Sequence, residues 1–278
     1  MGVEQIYYDH FIRAREYGDA WKGNQVNGKN SSSKLIRRDL EMDALYEILE
    51  RKRFVTCHSY VQSEINMLMH VADSMHFTIN TFTHILEGYK VADKMKAHGA
   101  GASSFSDWWA YKFEVKDAIP YNGALLWEQG ITVAFNSDDA EMARRLNQEA
   151  AKAVKYGGVP EEEALKFVTL NPAKLLHLDK QMGSLVVGKD ADLVIWSDHP
   201  LSIYAKAEKT FVDGICYYDI EKDLEMRKWI ETERSRLIQK MMLSKQNGDP
   251  SQAPSFKDKK HFHCDTMDQT SQGVLFNK

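Results

Sequence analysis

RFVTCHSYVQSEINMLMHVADSMHFTINTFTHILEGYKVADKMKAHG, residues 53–99, alternates between two periodicities, and that alternation decides the fold. RFVTC (53–57) and FTINTFT (77–83) are short apolar runs rich in β-branched and aromatic residues, as expected of buried strands. SEINMLMHVADSM (63–75) and EGYKVADKMKAHG (87–99) carry apolar residues at helical spacing, the second closed by Gly99. A helix between consecutive strands is the crossover that parallel pairing demands, so the expected class is α/β with a parallel sheet.

The same rhythm extends downstream. NGALLWEQG (122–130) reads as a helix ended by glycine and ITVAFN (131–136) as the next strand, with a weaker, glycine-rich strand expected near 100–105 and helices at 139–156 and 161–170. Short strands then follow at GSLVV (183–187), ADLVIW (191–196), KTFV (209–212) and ICYY (215–218), and Gly188–Lys189 and Asp213–Gly214 are hairpin-type turn signals. This stretch predicts a small antiparallel unit appended to the α/β part. Upstream, Ile6, Tyr7, His10, Phe11, Ala14 and Tyr17 share one helical face within 4–17, the Gly-, Asn- and Ser-rich stretch 23–34 reads as a mobile loop, and 36–52 is helical again. The expected organisation is therefore a helical segment with a loop at 1–52, an α/β region at 53–180, β strands at 181–220, and at 221–278 a charged helix, LEMRKWIETERSRLIQKMM, followed by a polar, disordered tail.

Composition narrows the partners. The chain has 278 residues, 43% of them hydrophobic, enough for a substantial core. Its formal charge of −4 comes from 36 basic and 40 acidic residues, a balance that gives no electrostatic reason to expect nucleic acid or a membrane surface and favours a small-molecule or short-peptide substrate. No apolar run approaches the roughly 20 residues that span a bilayer. Residues 1–17 lack the apolar core and cleavage site of a secretory signal, although a signal upstream of Met1 is compatible with the sequence, so the compartment is left open. Cys57, Cys216 and Cys264 are widely spaced, which argues against a disulfide framework or a zinc ribbon.

Three polar residues stand at or just past the ends of expected parallel strands: His58 after FVTC, His84 after INTFT, and Asp138 after VAFNS. Loops that follow parallel strands gather on one face of the sheet, so these side chains can converge although 26 and 54 residues separate them. Two imidazoles and a carboxylate suit a divalent ion such as zinc. Each also has a plainer reading, since a strand-end histidine can simply satisfy backbone groups and Asp138, beside Asp139, can be the N-cap of the helix DAEMARRL. His70, His76 and His98 are expected to serve packing or helix ends, not chemistry. Trp108 and Trp109, with Phe105 and Tyr111, form an aromatic group in the loop after the weak strand, either core or a wall of a substrate site.

The chain resembles the amidohydrolase superfamily, in particular its imidazolonepropionase-like and prolidase-like branch, from about residue 53 to 219. VTCHSYVQSEI is similar to that family's fifth barrel strand, FTHILEGYKVADKM to its sixth and VAFNSDDAEM to its eighth. The most specific match is ALKFVTLNPAKLLHLDKQMGSLVVGKDADLVIWSDHPL, followed by KTFVDGICYYD, which resembles the last barrel helix and closing β-sandwich strands. The resemblance implies the late strands of a (β/α)8 TIM-type barrel with an appended β-sandwich, and hydrolysis of carbon–nitrogen bonds in amides, cyclic amides or dipeptides. It also implies His58 and His84 as ligands of a zinc-class ion, and Asp138 as the residue that contacts the ion's water and takes its proton.

The chain departs from the family at its start. The family's first-strand His-x-His pair and its fourth-strand carboxylate or carboxylated lysine have no counterpart before residue 58, and the sole His-x-His is His261 and His263 in the polar tail. A half barrel leaves apolar strand edges open, a liability unless something covers them. Two expectations follow: an enzyme whose early strands come from a second chain or from a longer natural protein, or a non-catalytic fragment or partner subunit short of ligands.

Overall fold

The computed structural model describes residues 2–26, 36–108, 110–250 and 252. They belong to two compact units, Met1–Glu221 and Lys222–Lys278.

The first unit begins with helices α1 (Gly2–Val26) and α2 (Leu40–Leu49), the latter capped by the Asp39 carboxylate, which accepts from the Glu41 and Met42 N–H groups. Sequence reading ended the first helix at residue 17 and opened a loop at 23, yet α1 runs on to Val26. Packing overrides local preference here: Tyr17 Oη donates to Asp43 at 2.8 Å and Lys22 pairs with Glu50 at 2.5 Å. Gly18 lies at the crossing, where a Cβ would come within 2.0 Å of the Tyr46 ring and force it to shift. Residues 27–34 of the expected loop lie outside the described residues.

The sheet follows in the expected alternation, β1 (Val55–His58), α3 (Gln62–Met75), β2 (Ile79–Thr83), α4 (Ala92–His98), β3 (Gly101–Ser104), α5 (Asn122–Glu128) and β4 (Val133–Phe135). The four strands lie in chain order, all parallel, with Thr81 opposite Gly101 and Ala102 opposite Val133. Ile65, Val71, Ile79, Phe82, Met95, Leu126 and Val133 are fully buried, so helices cover the apolar strands in the manner parallel sheets require. Strand β3, GASS, has little strand propensity of its own. It persists between two partners, and Gly101 admits the Leu175 side chain, which a Cβ would meet at 2.2 Å.

Three expectations need correction. The helix expected at 139–156 is two, α6 (Ala140–Ala143) and α7 (Leu146–Gly157), which part at Arg145. The one expected at 161–170 is also two, α8 (Glu161–Lys166) and α9 (Leu170–Leu175): the Phe167 carbonyl between them accepts from Phe135 N–H at 2.8 Å, so the break serves the edge of β4. GSLVV (183–187) is not a strand. Among the described residues it has no ladder neighbour, and Leu185, Val186 and Val187 are left exposed. The antiparallel sheet therefore has three strands, β5 (Leu193–Trp196), β6 (Ala207–Val212) and β7 (Ile215–Asp219). The Asp213–Gly214 turn between the last two has positive φ at both residues, +50° and +77°, the hairpin geometry its sequence predicts.

Helix α10 (Ile220–Gln246) has no buried residue. Among the described residues no helix is long and apolar enough to cross a membrane. The expected disordered tail, with His261 and His263, lies outside the described residues from 253 onward.

Candidate functional site

The loops after β1, β2, β3 and β4 all leave the same edge of the sheet, the C-terminal ends of its strands. His58 is the last residue of β1 and His84 directly follows β2. Their imidazoles are in hydrogen-bond contact, His58 Nε2 with His84 Nδ1, with ring centroids 4.1 Å apart. The other nitrogen of His84, Nε2, lies 3.4 Å from Asp138 Oδ1 beyond β4. The three residues that the sequence singled out thus form a row with His84 in the middle. Asp139 takes the capping role, accepting from the Glu141 and Met142 N–H groups, which leaves Asp138 free of that duty.

A side-chain network missed by the sequence reading holds this row in place. Asn122, buried at the start of α5, donates through Nδ2 to the Ile85 carbonyl at 2.7 Å and to Ser104 Oγ at 2.9 Å, and accepts from Tyr89 N–H at 3.0 Å. Buried Glu87 accepts from Gln62 N–H at the start of α3 at 3.1 Å, while its own N–H donates to the Tyr60 carbonyl, tying the loop after β2 to the loop after β1. The loop after β3 is fastened to α7 by buried Glu149, which accepts from Ser106 Oγ and from Lys152 Nζ, and Lys152 also reaches Asp107 at 2.9 Å. Burial works against the Lys152 ammonium, but Glu149 and Asp107 outweigh it and raise its pKa. Only a polar residue on the inward face of α7, among Ala150 and Ala153, could have signalled Glu149 in the sequence.

These anchors set an aromatic rim around the histidines. Phe105 packs on His84 at 4.8 Å, Trp108 stacks on Phe105 at 4.5 Å, and Tyr111 meets Trp108 edge-on at 5.4 Å. Tyr60 stands 5.0 Å from His58 and 6.3 Å from His84. Trp108 thus joins the site through Phe105, while Trp109 lies outside the described residues. Burial, then the neighbouring Tyr60, push the Tyr111 hydroxyl up to about 12. For His84, burial lowers the pKa, Asp138 opposes the shift, and His58 and Lys112 add to it, so the neutral, ligand-competent imidazole is favoured.

In kind, two imidazoles and a carboxylate fit a divalent zinc-class ion. Buried Ser59 Oγ and Asn136 Oδ1, one step past β1 and β4, have no hydrogen-bond partner among the described residues, which marks this end of the sheet as under-satisfied. In number the set is short. His84 turns its two nitrogens to different neighbours, and among the described residues no three His, Cys, Asp or Glu side chains form a group that could hold a metal ion.

Comparison with known proteins concerns the chain as a whole. Residues 66–216 match the amidohydrolase family. Amidohydrolase tasK of Hapsidospora irregularis is 29% identical over 229 residues, 79% of this chain but 23% of that protein, and an imidazolonepropionase of Thermoplasma volcanium is 29% identical over 122 residues, 41% of this chain and 30% of its own. The crystal structure of an amidohydrolase from Thermotoga maritima superposes with a TM-score of 0.69 at 28% identity, covering 79% of this chain and 56% of that one. The chain thus spans about a quarter of the length of the first and little more than half of the last, and its α/β architecture is TIM-barrel-like. With the family match extending over more than half of its residues, the chain belongs to the amidohydrolase family.

Proposed function

We propose that this chain is the late half of a (β/α)8 barrel with part of its appended β-sandwich, and that it works in a metal-dependent hydrolase of carbon–nitrogen bonds in amides, cyclic amides or dipeptides. The observation that carries this reading is the meeting of His58, His84 and Asp138 at the C-terminal ends of β1, β2 and β4, where barrel enzymes build their active sites. His58 and His84 would hold the divalent ion, zinc by the chemistry of the donors, and the ion when bound acts as a Lewis acid on the scissile carbonyl. Asp138 takes a proton from the attacking water and passes it to the leaving nitrogen, so the C–N bond breaks with a neutral amine departing. Neutral His84 keeps the site from repelling a cation, and Phe105 and Trp108 shield one side of it from water. The family's remaining ligands, on its first and fourth strands, would come from a second chain or a longer protein.

A second reading is favoured by the short donor set: the chain is a non-catalytic fragment or partner subunit. Metal analysis of the purified chain after zinc loading, with a panel of dipeptides, N-acyl amino acids and cyclic amides, separates the two. Stoichiometric zinc with turnover, alone or with a polypeptide carrying the early strands, supports the enzyme. Absence of both in every combination sinks it.

A further inference from the structure

Helix α10 has 27 residues, which makes it about 40 Å long, and among the described residues nothing buries any of them. Met226, Ile230, Leu237 and Met241 fall within an arc of roughly 60° on its surface, with Trp229 and Ile238 on either side of that stripe. All six are 41–71% exposed. A stripe of large apolar side chains on a helix favours burial against a second element. Its positions are symmetric about the peptide bond between Glu233 and Arg234: Met226 and Met241 are equally far from it, as are Ile230 and Leu237, and Trp229 and Ile238. Charge divides at the same point. Residues 221–233 carry five acidic and three basic side chains, whereas residues 234–246 carry four basic and no acidic ones.

We infer that α10 is a dimerisation helix, pairing antiparallel with the α10 of a second copy of this chain across a two-fold axis at Glu233–Arg234. Opposite directions set Met226 against Met241 of the second copy and Ile230 against its Leu237, so the stripe covers itself. Acidic halves then meet basic halves, where a parallel pair would set like against like. On the two flanks Glu231 comes beside Arg234 of the second copy and Glu233 beside its Arg236, each contact occurring twice by symmetry. Glu233 also holds Arg236 of its own helix at 2.6 Å, whereas Glu231 and Arg234 have no ion-pair partner among the described residues. A two-fold pairing is closed, so assembly stops at two copies.

Sedimentation velocity of the full chain over about 1–50 µM tests the pairing, and a dimer is expected in that range. Ile230→Glu combined with Leu237→Glu should leave a monomer. Glu231→Arg and Arg234→Glu each bring like charges together twice and should each weaken the dimer about tenfold, while the double exchange restores it. Both charge positions are exposed, so these variants keep the test decisive if the double glutamate variant fails to fold. Orientation is read by oxidation: Met226→Cys and Met241→Cys chains mixed together should form a disulfide between the two substituted positions, identified by peptide mass, and Met226→Cys alone should form none there. Four results would each overturn the inference. They are a native chain that stays monomeric, its stripe then falling to residues beyond 252 or to another protein; a dimer that survives Ile230→Glu with Leu237→Glu; a double exchange no tighter than the single ones; and a bridge formed at position 226 by Met226→Cys alone.

Discussion

Two histidine–carboxylate pairs sit at opposite ends of β2, and their difference separates structure from chemistry in this fold. Beneath the strand, His98 Nδ1 donates to Asp73 at 2.6 Å while Nε2 accepts from Ile79 N–H at 2.9 Å, and the side chain is 2% exposed. Every polar atom of that ring has a partner, and the ladder itself fixes one of them. Above the strand, His84 meets another imidazole and a carboxylate at 3.4 Å, and its backbone lies in the left-handed region at φ +56°. A non-glycine residue there carries strain that the surrounding contacts must offset. The lower pair is closed and the upper one open to a ligand, which matches the division of parallel-strand barrels into a stabilising face and a reactive face.

The comparison breaks most sharply by removing one imidazole at a time. His84→Asn keeps a residue that tolerates the left-handed backbone. It should lower zinc occupancy and hydrolysis by about 10³-fold or more, with little change in thermal midpoint. A variant that retains turnover would show the upper pair to be as structural as the lower. His98→Ala should do the opposite, leaving Ile79 N–H and Asp73 unpaired and costing about 2–4 kcal/mol in urea unfolding, with activity per folded molecule unchanged.

Adjacent acids sharpen the same contrast on one loop. Asp139→Ala removes the cap of α6 and should cost about 1 kcal/mol, measured by the denaturant midpoint, while Asp138→Ala should leave that midpoint in place and abolish hydrolysis. Equal stability losses from the two would return Asp138 to a capping role.

How much of this could be read in the sequence follows from the kind of signal each part carries. The parallel sheet was legible because strand and helix periodicities alternate over 53–136, and the Asp213–Gly214 hairpin because only a few residue pairs accept positive φ twice in succession. Strand ends placed His58, His84 and Asp138 near one another, although spacing could not show that His84 would face its two neighbours with different nitrogens. GSLVV was misread because a strand is completed by its neighbour, and a short apolar run does not say whether one is present. Asn122, Glu87 and Glu149 were missed for a related reason. Each is a lone polar residue in an apolar setting, and its partners, such as Ile85 O, Gln62 N–H and Ser106, are distant in sequence.

Acidity gives the finest probe of the upper pair. The folded chain holds the His84 pKa below its ordinary 6.5, burial being the largest cause, so the neutral ring is favoured in the native state. The unfolded chain takes up the proton first as pH falls. The stability contributed by neutral His84 is therefore complete above about 6.5 and is lost progressively below it, through the window down to the lowered folded value. Urea midpoints of the chelator-treated chain should decline more steeply between pH 7 and 5 for the native sequence than for His84→Asn, which has nothing to protonate there. Parallel profiles would mean that burial does not hold His84 neutral, and the lowered pKa of the upper pair would be overturned.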